Sequence, residues 1–363
     1  MLKRIYADNF RSLGNFELRP KQLNLLLGEN GSGKTSLFEV LLLVRDLIVN
    51  GRPAASLFAY KKTIWDPRDS QSFELDVEAP EGVFSYRLEI RHPSQPTPEA
   101  PHIKGEFLDY EGKPLFRYRD GQVQLFDDEH EPGARFPFKP EQSFLPNLET
   151  QSSKLQWFKS FVAGIQVFQL NPFGLDTFSQ RDERYLTANG SNFVSWLRYL
   201  SEERPLAKRE CEDRLGELIP GFQGFRFESL GDRKGLVASF SREGGDNYEL
   251  YFGNLSEGQR ILSILYSILY GLVGNTALLC FDEPENFISL REVQPWLQSL
   301  RDLVEERSGQ ALVISHNPEV IDYLAADSAF LFERPTGDIV RVRPWVPDPK
   351  EIMKPSEILV REG

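Results

Sequence analysis

The sequence predicts an α/β protein with a parallel core sheet, an N-terminal antiparallel β lobe carrying an insertion, and a helical lobe. Three observations lead there. An apolar run, Leu23 to Leu27, enters the glycine-rich stretch Gly28-Glu29-Asn30-Gly31-Ser32-Gly33-Lys34-Thr35 and leaves it into a helical pattern with Leu37, Phe38, Leu41 and Leu42 on one face. Strand and helix patterns alternate again beyond residue 250. Between these two parts lie short alternating runs separated by turn residues, the signature of antiparallel strands. With 363 residues, 40% of them hydrophobic, the chain can build one large domain or two smaller ones.

Taken in order, residues 3–8 and 14–20 read as two strands joined by a turn at Ser12-Leu13-Gly14. The helix after the glycine-rich turn runs to about Val49, where Asn50-Gly51-Arg52-Pro53 stops it. Within 52–165, the runs Phe73 to Val77, Val83 to Ile90, Gly105 to Tyr110, Leu115 to Tyr118 and Val123 to Phe126 read as an antiparallel β insertion. Two irregular loops are expected in it, one at Pro93, Pro96, Pro98 and Pro101, the other at Pro137, Pro140 and Pro146. His92, His102 and His130 fall in polar surroundings and read as solvated surface.

Ile165 to Leu170 reads as a strand, 190–216 as helices, and Phe225 to Leu230, Gly235 to Phe240 and Tyr248 to Phe252 as further strands. A helix is expected over about 257–272, a strand over 277–281, a helix over about 290–306 and a strand at Ala311 to Ser315. A short helix over about 318–325 and strands near 329–333 and 338–343 follow, and the last twenty residues receive no fold. Ile261 to Phe281 lacks charge over a length that could cross a bilayer, but Gly271, Gly274 and Asn275 break it into a buried helix, a turn and a strand.

The spacing Gly-x4-Gly-Lys-Thr between strand and helix makes a P-loop. Glycines let the backbone curl so that N–H groups point at phosphate oxygens, and the helix start adds the positive end of its dipole. Asn30, Gly31, Ser32, Gly33, Lys34, Thr35 and Ser36 are the candidate phosphate cradle. Lys34 can reach β and γ phosphates, and the Thr35 hydroxyl can ligate Mg²⁺. A second constellation, Leu278-Leu279-Cys280-Phe281-Asp282-Glu283-Pro284, is an apolar strand ending in two acids, suited to a Mg²⁺ ligand at Asp282 and a water-polarising base at Glu283. Ser256, before the uncharged helix, stands at an N-cap position. Ile314-Ser315-His316-Asn317 is a strand end carrying a histidine.

These motifs, in this order and spacing, resemble the ABC-type ATPases, and specifically their SMC/RecF/OLD branch. The stretches that carry the resemblance are Asn9-Phe10-Arg11-Ser12-Leu13, the P-loop, Leu255-Ser256-Glu257-Gly258-Gln259, Asp282-Glu283-Pro284-Glu285-Asn286 and Ser315-His316-Asn317-Pro318. They lie in roughly 1–50 and 250–335. The resemblance implies a P-loop ABC-type ATPase that uses ATP and Mg²⁺, with Lys34, Glu283 and His316 as catalytic groups and Thr35 and Asp282 on the metal. Ser256 and Gly258 would form a signature motif that meets ATP on the other protomer of a head-to-tail dimer, or of a higher oligomer. Gln169 is similar to the Q-loop glutamine, with Gln142 and Gln166 in competition, and Arg11 would touch nucleotide from the N-terminal turn. The resemblance also implies one discontinuous domain: 1–51 N-terminal strands and P-loop, 52–165 β insertion, 166–245 Q-loop-like segment and helical lobe, 246–345 signature, Walker B and His-loop half, and 346–363 a tail.

Three departures stand out: Glu257 where many members carry glycine, no aspartate at the usual place after Pro284, and neither a long coiled coil nor a C-terminal Toprim nuclease. A stand-alone ATPase is therefore expected, working beside a separate effector, a nuclease or toxin, in antiphage defence. A RecF-like DNA repair clamp, with DNA as partner, and an ATP-binding scaffold with little hydrolysis are the alternatives. A transporter motor ranks below them, given the N-terminal start and the β insertion. The net charge of -12 disfavours indiscriminate nucleic-acid binding. Two distant cysteines, Cys211 and Cys280, give neither a disulfide framework nor zinc spacing, and a cytoplasmic protein without membrane contact is expected. The start lacks a signal peptide's apolar core.

Overall fold

The computed structural model describes residues 1–93, 100–148, 152–242, 244–274, 277–325, 328–335, 338–346 and 353–362. Pro96, Pro98 and Asn275, to which the sequence assigns loop and breaker roles, lie outside them. In chain order the elements begin with β1 (Leu2–Asp8), β2 (Phe16–Leu18), β3 (Leu23–Leu27), α1 (Lys34–Ile48) and α2 (Ala54–Phe58). The insertion adds β4 (Ser70–Ala79), β5 (Gly82–Arg91), β6 (His102–Tyr110), β7 (Lys113–Arg119), β8 (Gln122–Phe126), β9 (Pro132–Pro137) and α3 (Ser153–Ala163). Next come β10 (Ile165–Phe168), β11 (Phe178–Ser179), α4 (Phe193–Glu203), α5 (Pro205–Leu218), β12 (Phe222–Leu230), β13 (Arg233–Phe240) and β14 (Tyr248–Tyr251). The last part holds α6 (Glu257–Leu272), β15 (Leu278–Asp282), α7 (Leu290–Glu306), β16 (Ala311–Ile314), α8 (Pro318–Leu324), β17 (Ala329–Glu333), β18 (Arg341–Trp345) and α9 (Pro355–Glu362).

These form two compact units: Met1–Gln166 with Ser328–Trp345, and Val167–Asp327 with Val346–Gly363. The first unit contains an eight-stranded antiparallel sheet in the order β2-β1-β4-β5-β6-β7-β8-β9. The insertion strands thus extend the sheet begun by the N-terminal pair. Period-two patterning explains it: Phe73, Leu75 and Val77 of β4 and Phe84, Tyr86, Leu88 and Ile90 of β5 are buried while their neighbours are not. In the same unit β3, which feeds the P-loop, pairs in parallel with β17, and β18 lies antiparallel on β17. The second unit contains the parallel pair β15 and β16, a small antiparallel sheet of β11, β13, β12 and β14, and a helical part in which α6 is buried along nearly its whole length. The α/β fold class with parallel pairing, an antiparallel lobe and helices is as the sequence predicts.

Several expectations are corrected. The 52–165 segment is not purely β, because α2 and α3 lie in it. Ser152 caps α3 by accepting from the Leu155 N–H, and Leu155, Phe158, Phe161 and Val162 form its buried face. The Pro137 region includes strand β9, whose two prolines are tolerated because it is the sheet's outer strand. The tail forms α9, with Pro355 at its start, Ile358 buried, and the Ser356 N–H donating to Asp322 Oδ1 at 2.9 Å. His92 is not solvated either: it is half-buried with Nε2 2.7 Å from Gln71 Oε1, and burial lowers its pKa. His102 and His130 are likewise only partly exposed, bonding the Ala100 and Pro114 carbonyls.

Candidate functional site

In the first unit, the P-loop takes the backbone form its glycines require. Gly28, Gly31 and Gly33 have φ of 139°, 80° and 97°. A Cβ on Gly28 would collide with the Phe332 carbonyl oxygen of β17, and one on Gly33 would come within 2.7 Å of Val340 Cγ2. Gly33 is the N-cap of α1, with no side-chain cap and no acid in the first turn, so none of the helix's own side chains competes for an incoming anion. Lys34 is only 5% exposed. Its Nζ donates to the Gly28 and Glu29 carbonyls at 2.6 and 2.9 Å, over the concavity of the loop. Glu29, Asn30, Gly31 and Thr35 face solvent and Ser36 is half-buried.

Arg11, with φ of 51°, does not stand apart from this loop. It donates to Glu39, one turn beyond Thr35 on α1, at 2.5 Å, and Lys61 meets the same carboxylate at 3.0 Å. The pair is two-pronged, a second guanidinium nitrogen donating to Glu39 Oε1 at 3.0 Å, so Arg11 stands beside the helix start already engaged with a carboxylate. Buried Asn9 and Gln71 hold the backbone here: Asn9 Nδ2 donates to the Ser70 carbonyl and Gln71 Nε2 to the Asn9 carbonyl, each at 2.8 Å.

In the second unit, β15 is apolar until it reaches Asp282, which is 7% exposed at the carboxyl end of the strand, opposite Ile314 of β16. Glu283 then turns the chain with φ of 49°, strained for a non-glycine residue. The Glu283 N–H donates to the Ile314 carbonyl at 2.9 Å. Its carboxylate is held by one side chain and faces another. Asn286 Nδ2 donates to Oε2 at 2.9 Å, and His316 Nε2 lies 3.9 Å from Oε1. Glu283 and His316, far apart in the sequence, thus meet at the ends of paired strands.

Ser256 makes a reciprocal capping box with Gln259 at the start of α6, the Gln259 N–H donating to Ser256 Oγ at 3.2 Å and the Ser256 N–H to Gln259 Oε1 at 3.0 Å. Gly258 is glycine for want of room, since a Cβ would come within 2.9 Å of the Phe287 carbonyl oxygen. Glu257 is exposed. Of the three glutamines, Gln142 donates to the Gly51 carbonyl at 3.1 Å, Gln166 is buried in β10 and Gln169 is exposed just past β10.

Sequence reasoning gave no role to Glu285 or Ser315. Glu285 is 7% exposed, its Oε1 accepting from Ser315 Oγ. Burial pushes its carboxyl pKa up, the Ser315 hydrogen bond opposes this, and the neighbouring Glu283 charge adds to it. The acid was visible in Asp282-Glu283-Pro284-Glu285-Asn286, but its burial was not.

The family model described as "AAA domain, putative AbiEii toxin, Type IV TA system" matches residues 23–322. The chain belongs to that family. This AAA-family chain is 29% identical over 99 residues to protein ea59 of Escherichia phage lambda, a match covering 27% of the chain and 19% of that relative. The chain therefore spans about a fifth of the curated relative it matches. It is similar to the SMC head domain from Thermotoga maritima, with a TM-score of 0.48 and 14% identity over 95% of this chain and 98% of that one. For the Smc head domain with an extended coiled coil bound to the C-terminal domain of ScpA, from Pyrococcus furiosus, the TM-score is 0.52 with 13% identity over 99% of this chain and 98% of that one. At such identity the second likeness is one of fold. Family and fold agree with the SMC/RecF/OLD resemblance carried by the motifs. The chain has an ATPase fold of the AAA and SMC-head kind, which supports ATP binding and hydrolysis in general. Among the described residues, no helix is long and apolar enough to cross a membrane.

Proposed function

We propose that this AAA-family chain binds and hydrolyses Mg·ATP, that nucleotide drives its dimerisation, and that the cycle controls a separate effector protein in antiphage defence. The observation that carries the reading is the P-loop: three left-handed glycines, Lys34 drawn over the loop and a helix start without a cap or acid of its own. Asn30 to Ser36 hold the phosphates and Lys34 neutralises their charge. Arg11 touches the nucleotide from the flank and Gln169 serves as the Q-loop residue.

Thr35 and Asp282 are oxygen donors suited to Mg²⁺, which takes one or two protein ligands and completes its shell with phosphates and water. When bound, the ion supplies charge stabilisation on the transferring phosphoryl group. Glu283, fixed by Asn286, orients and polarises the attacking water, and His316 beside it contacts the γ-phosphate. Ser256 and Gly258, at the start of α6, meet the nucleotide of the second protomer. Binding shifts the assembly only so far as the two states differ in affinity for ATP. The toxin–antitoxin wording of the family description supports a protein partner.

Solution mass by light scattering tests this on Glu283→Gln, with Lys34→Ala as control. The expected result is a mass that doubles with Mg·ATP in the first protein and not in the second. A mass unmoved by ATP in Glu283→Gln removes the nucleotide-gated dimer.

A further inference from the structure

Glu285 is an expensive residue in its place. It is 7% exposed, it spends Oε1 on a single side chain, Ser315, and its Oε2 has no hydrogen-bond partner among the described residues. A buried carboxyl with one oxygen unsatisfied destabilises a fold unless another term offsets it. Its position supplies that term. The turn after β15 points Glu283 outward and Glu285 inward, and the Ile288 N–H closes the turn on the Glu285 carbonyl at 3.2 Å. Ser315 is 1% exposed and immediately precedes His316. The hydroxyl that donates to Glu285 also accepts from the Asn317 N–H at 3.0 Å, so the bonds on either side of His316 converge on one oxygen. Asn317 Oδ1 in turn accepts from the Glu319 N–H at 2.9 Å and begins α8. The chain Glu285–Ser315–Asn317 therefore ties the turn carrying Glu283 to the turn carrying His316.

We propose that Glu285 is a positioning residue, which through Ser315 fixes the His316 turn against the Glu283 turn so that carboxylate and imidazole face the same reacting water and phosphate. This rests on the reading of Glu283 as the water-polarising base. In this reading Glu285 acts through Ser315 rather than on the nucleotide. Its carboxylate is an anchor, and what it fixes is the separation of two groups now 3.9 Å apart. Misplacement by about 1 Å at a reacting centre costs up to about a hundredfold in rate.

The test uses the full chain and Mg·ATP, with phosphate release for turnover and calorimetric ADP affinity for binding. Glu285→Ala is expected to lower kcat about tenfold to a hundredfold while KM and ADP affinity stay within about twofold. Ser315→Ala is expected to lose a similar factor, and the double variant no more than either single one, because both break the same link. Glu285→Gln keeps an acceptor for Ser315 and is expected to restore most of the turnover. Melting temperature checks that a loss of turnover is not a loss of fold. Glu285→Ala leaves a cavity and a bare Ser315 hydroxyl and is expected to melt lower than the parent while staying folded at the assay temperature, and Glu285→Gln, which keeps the acceptor and the volume, is expected to melt with the parent.

Parent-like turnover in Glu285→Ala overturns the proposal, as does a drop in ADP affinity parallel to the drop in kcat. So does strict additivity of the two alanine variants. If Glu283→Gln is inactive while Glu285→Ala is not, only the positioning role falls. If Glu283→Gln turns ATP over at the parent rate, the reading of the base falls, and the positioning role with it.

Discussion

Glu106 shows how far one side chain can set the response of a lobe to pH. It lies on β6, fully buried, with Tyr86 Oη and Ser143 Oγ both donating to Oε1 at 2.9 and 2.8 Å. Its Oε2 has no hydrogen-bond partner among the described residues. Burial pushes its pKa up to about 7, against the pull of the two hydroxyls. A carboxyl raised in the folded state binds its proton more tightly there than in the unfolded chain. Its contribution is therefore fully present below the unfolded pKa of about 4.5 and is lost as pH rises through about 7. The rise corresponds to something on the order of 3 kcal/mol. Glu106→Gln keeps an acceptor for both hydroxyls and cannot ionise. Urea unfolding at intervals from about pH 5 to about pH 8 is expected to show the parent losing stability relative to Glu106→Gln as pH rises. Parallel curves for the two proteins would sink the assignment.

At the scale of the element, α6 separates two jobs that one serine can hold. The capping box of Ser256 with Gln259 satisfies the helix start, and replacing such a cap by alanine costs about 1 kcal/mol. The proposed function gives Ser256 a second job, contact with the nucleotide of another protomer. Ser256→Asp divides them, because aspartate caps as well as serine but brings a negative charge. In the Glu283→Gln background, Ser256→Asp is expected to keep the parent's melting temperature and to lose the ATP-dependent gain in mass. If mass still doubles, the serine is a cap alone.

Elements also show what could be read before the structure. The P-loop unit, α6, β15, α7 and β16 were legible because their signals are local: glycines at fixed offsets, an N-cap serine, an uncharged run, an apolar strand ending in acids. The β4–β8 strands were legible because one face of each is buried, so polarity alternates along them. Helix α3 was not, since its apolar positions come just after a proline-rich stretch and its start is braced from afar: Asp128 accepts from the Ser153 N–H at 3.0 Å. Strand β9 was hidden by prolines that only an outer strand tolerates, a fact of topology rather than of sequence. The site was legible as residue types. Sequence order links His316 to the acidic pair, but the meeting of Glu283 and His316 in space depends on the parallel register that sets Asp282 opposite Ile314. Glu285 stayed invisible because its meaning lies in burial and in one partner thirty residues away.

On the scale of the whole molecule, the chain builds its first compact unit from two separated segments. The P-loop strand β3 is completed by β17, which returns after residue 327 and places the Phe332 carbonyl against Gly28. The proposed phosphate cradle is thus an early stretch of sequence shaped by a late one, and a ligand there would stabilise a discontinuous body. The proposed mechanism gives Lys34 the phosphates and Glu283 the attacking water, so their variants should respond differently to nucleotide. A ligand held only by the native state stabilises it by about 2.7 kcal/mol at a hundred times its Kd. Over 363 residues, that corresponds to a rise in melting temperature of about 3–4 °C. Differential scanning calorimetry with Mg·ATP is expected to show a shift of this size in Glu283→Gln, where the ligand binds and is not consumed, and none in Lys34→Ala. An equal shift in both would place the nucleotide somewhere other than the P-loop. No shift in Glu283→Gln at saturating Mg·ATP would mean that the folded chain does not bind the nucleotide by itself, and the ATPase cycle proposed here would lose its first step.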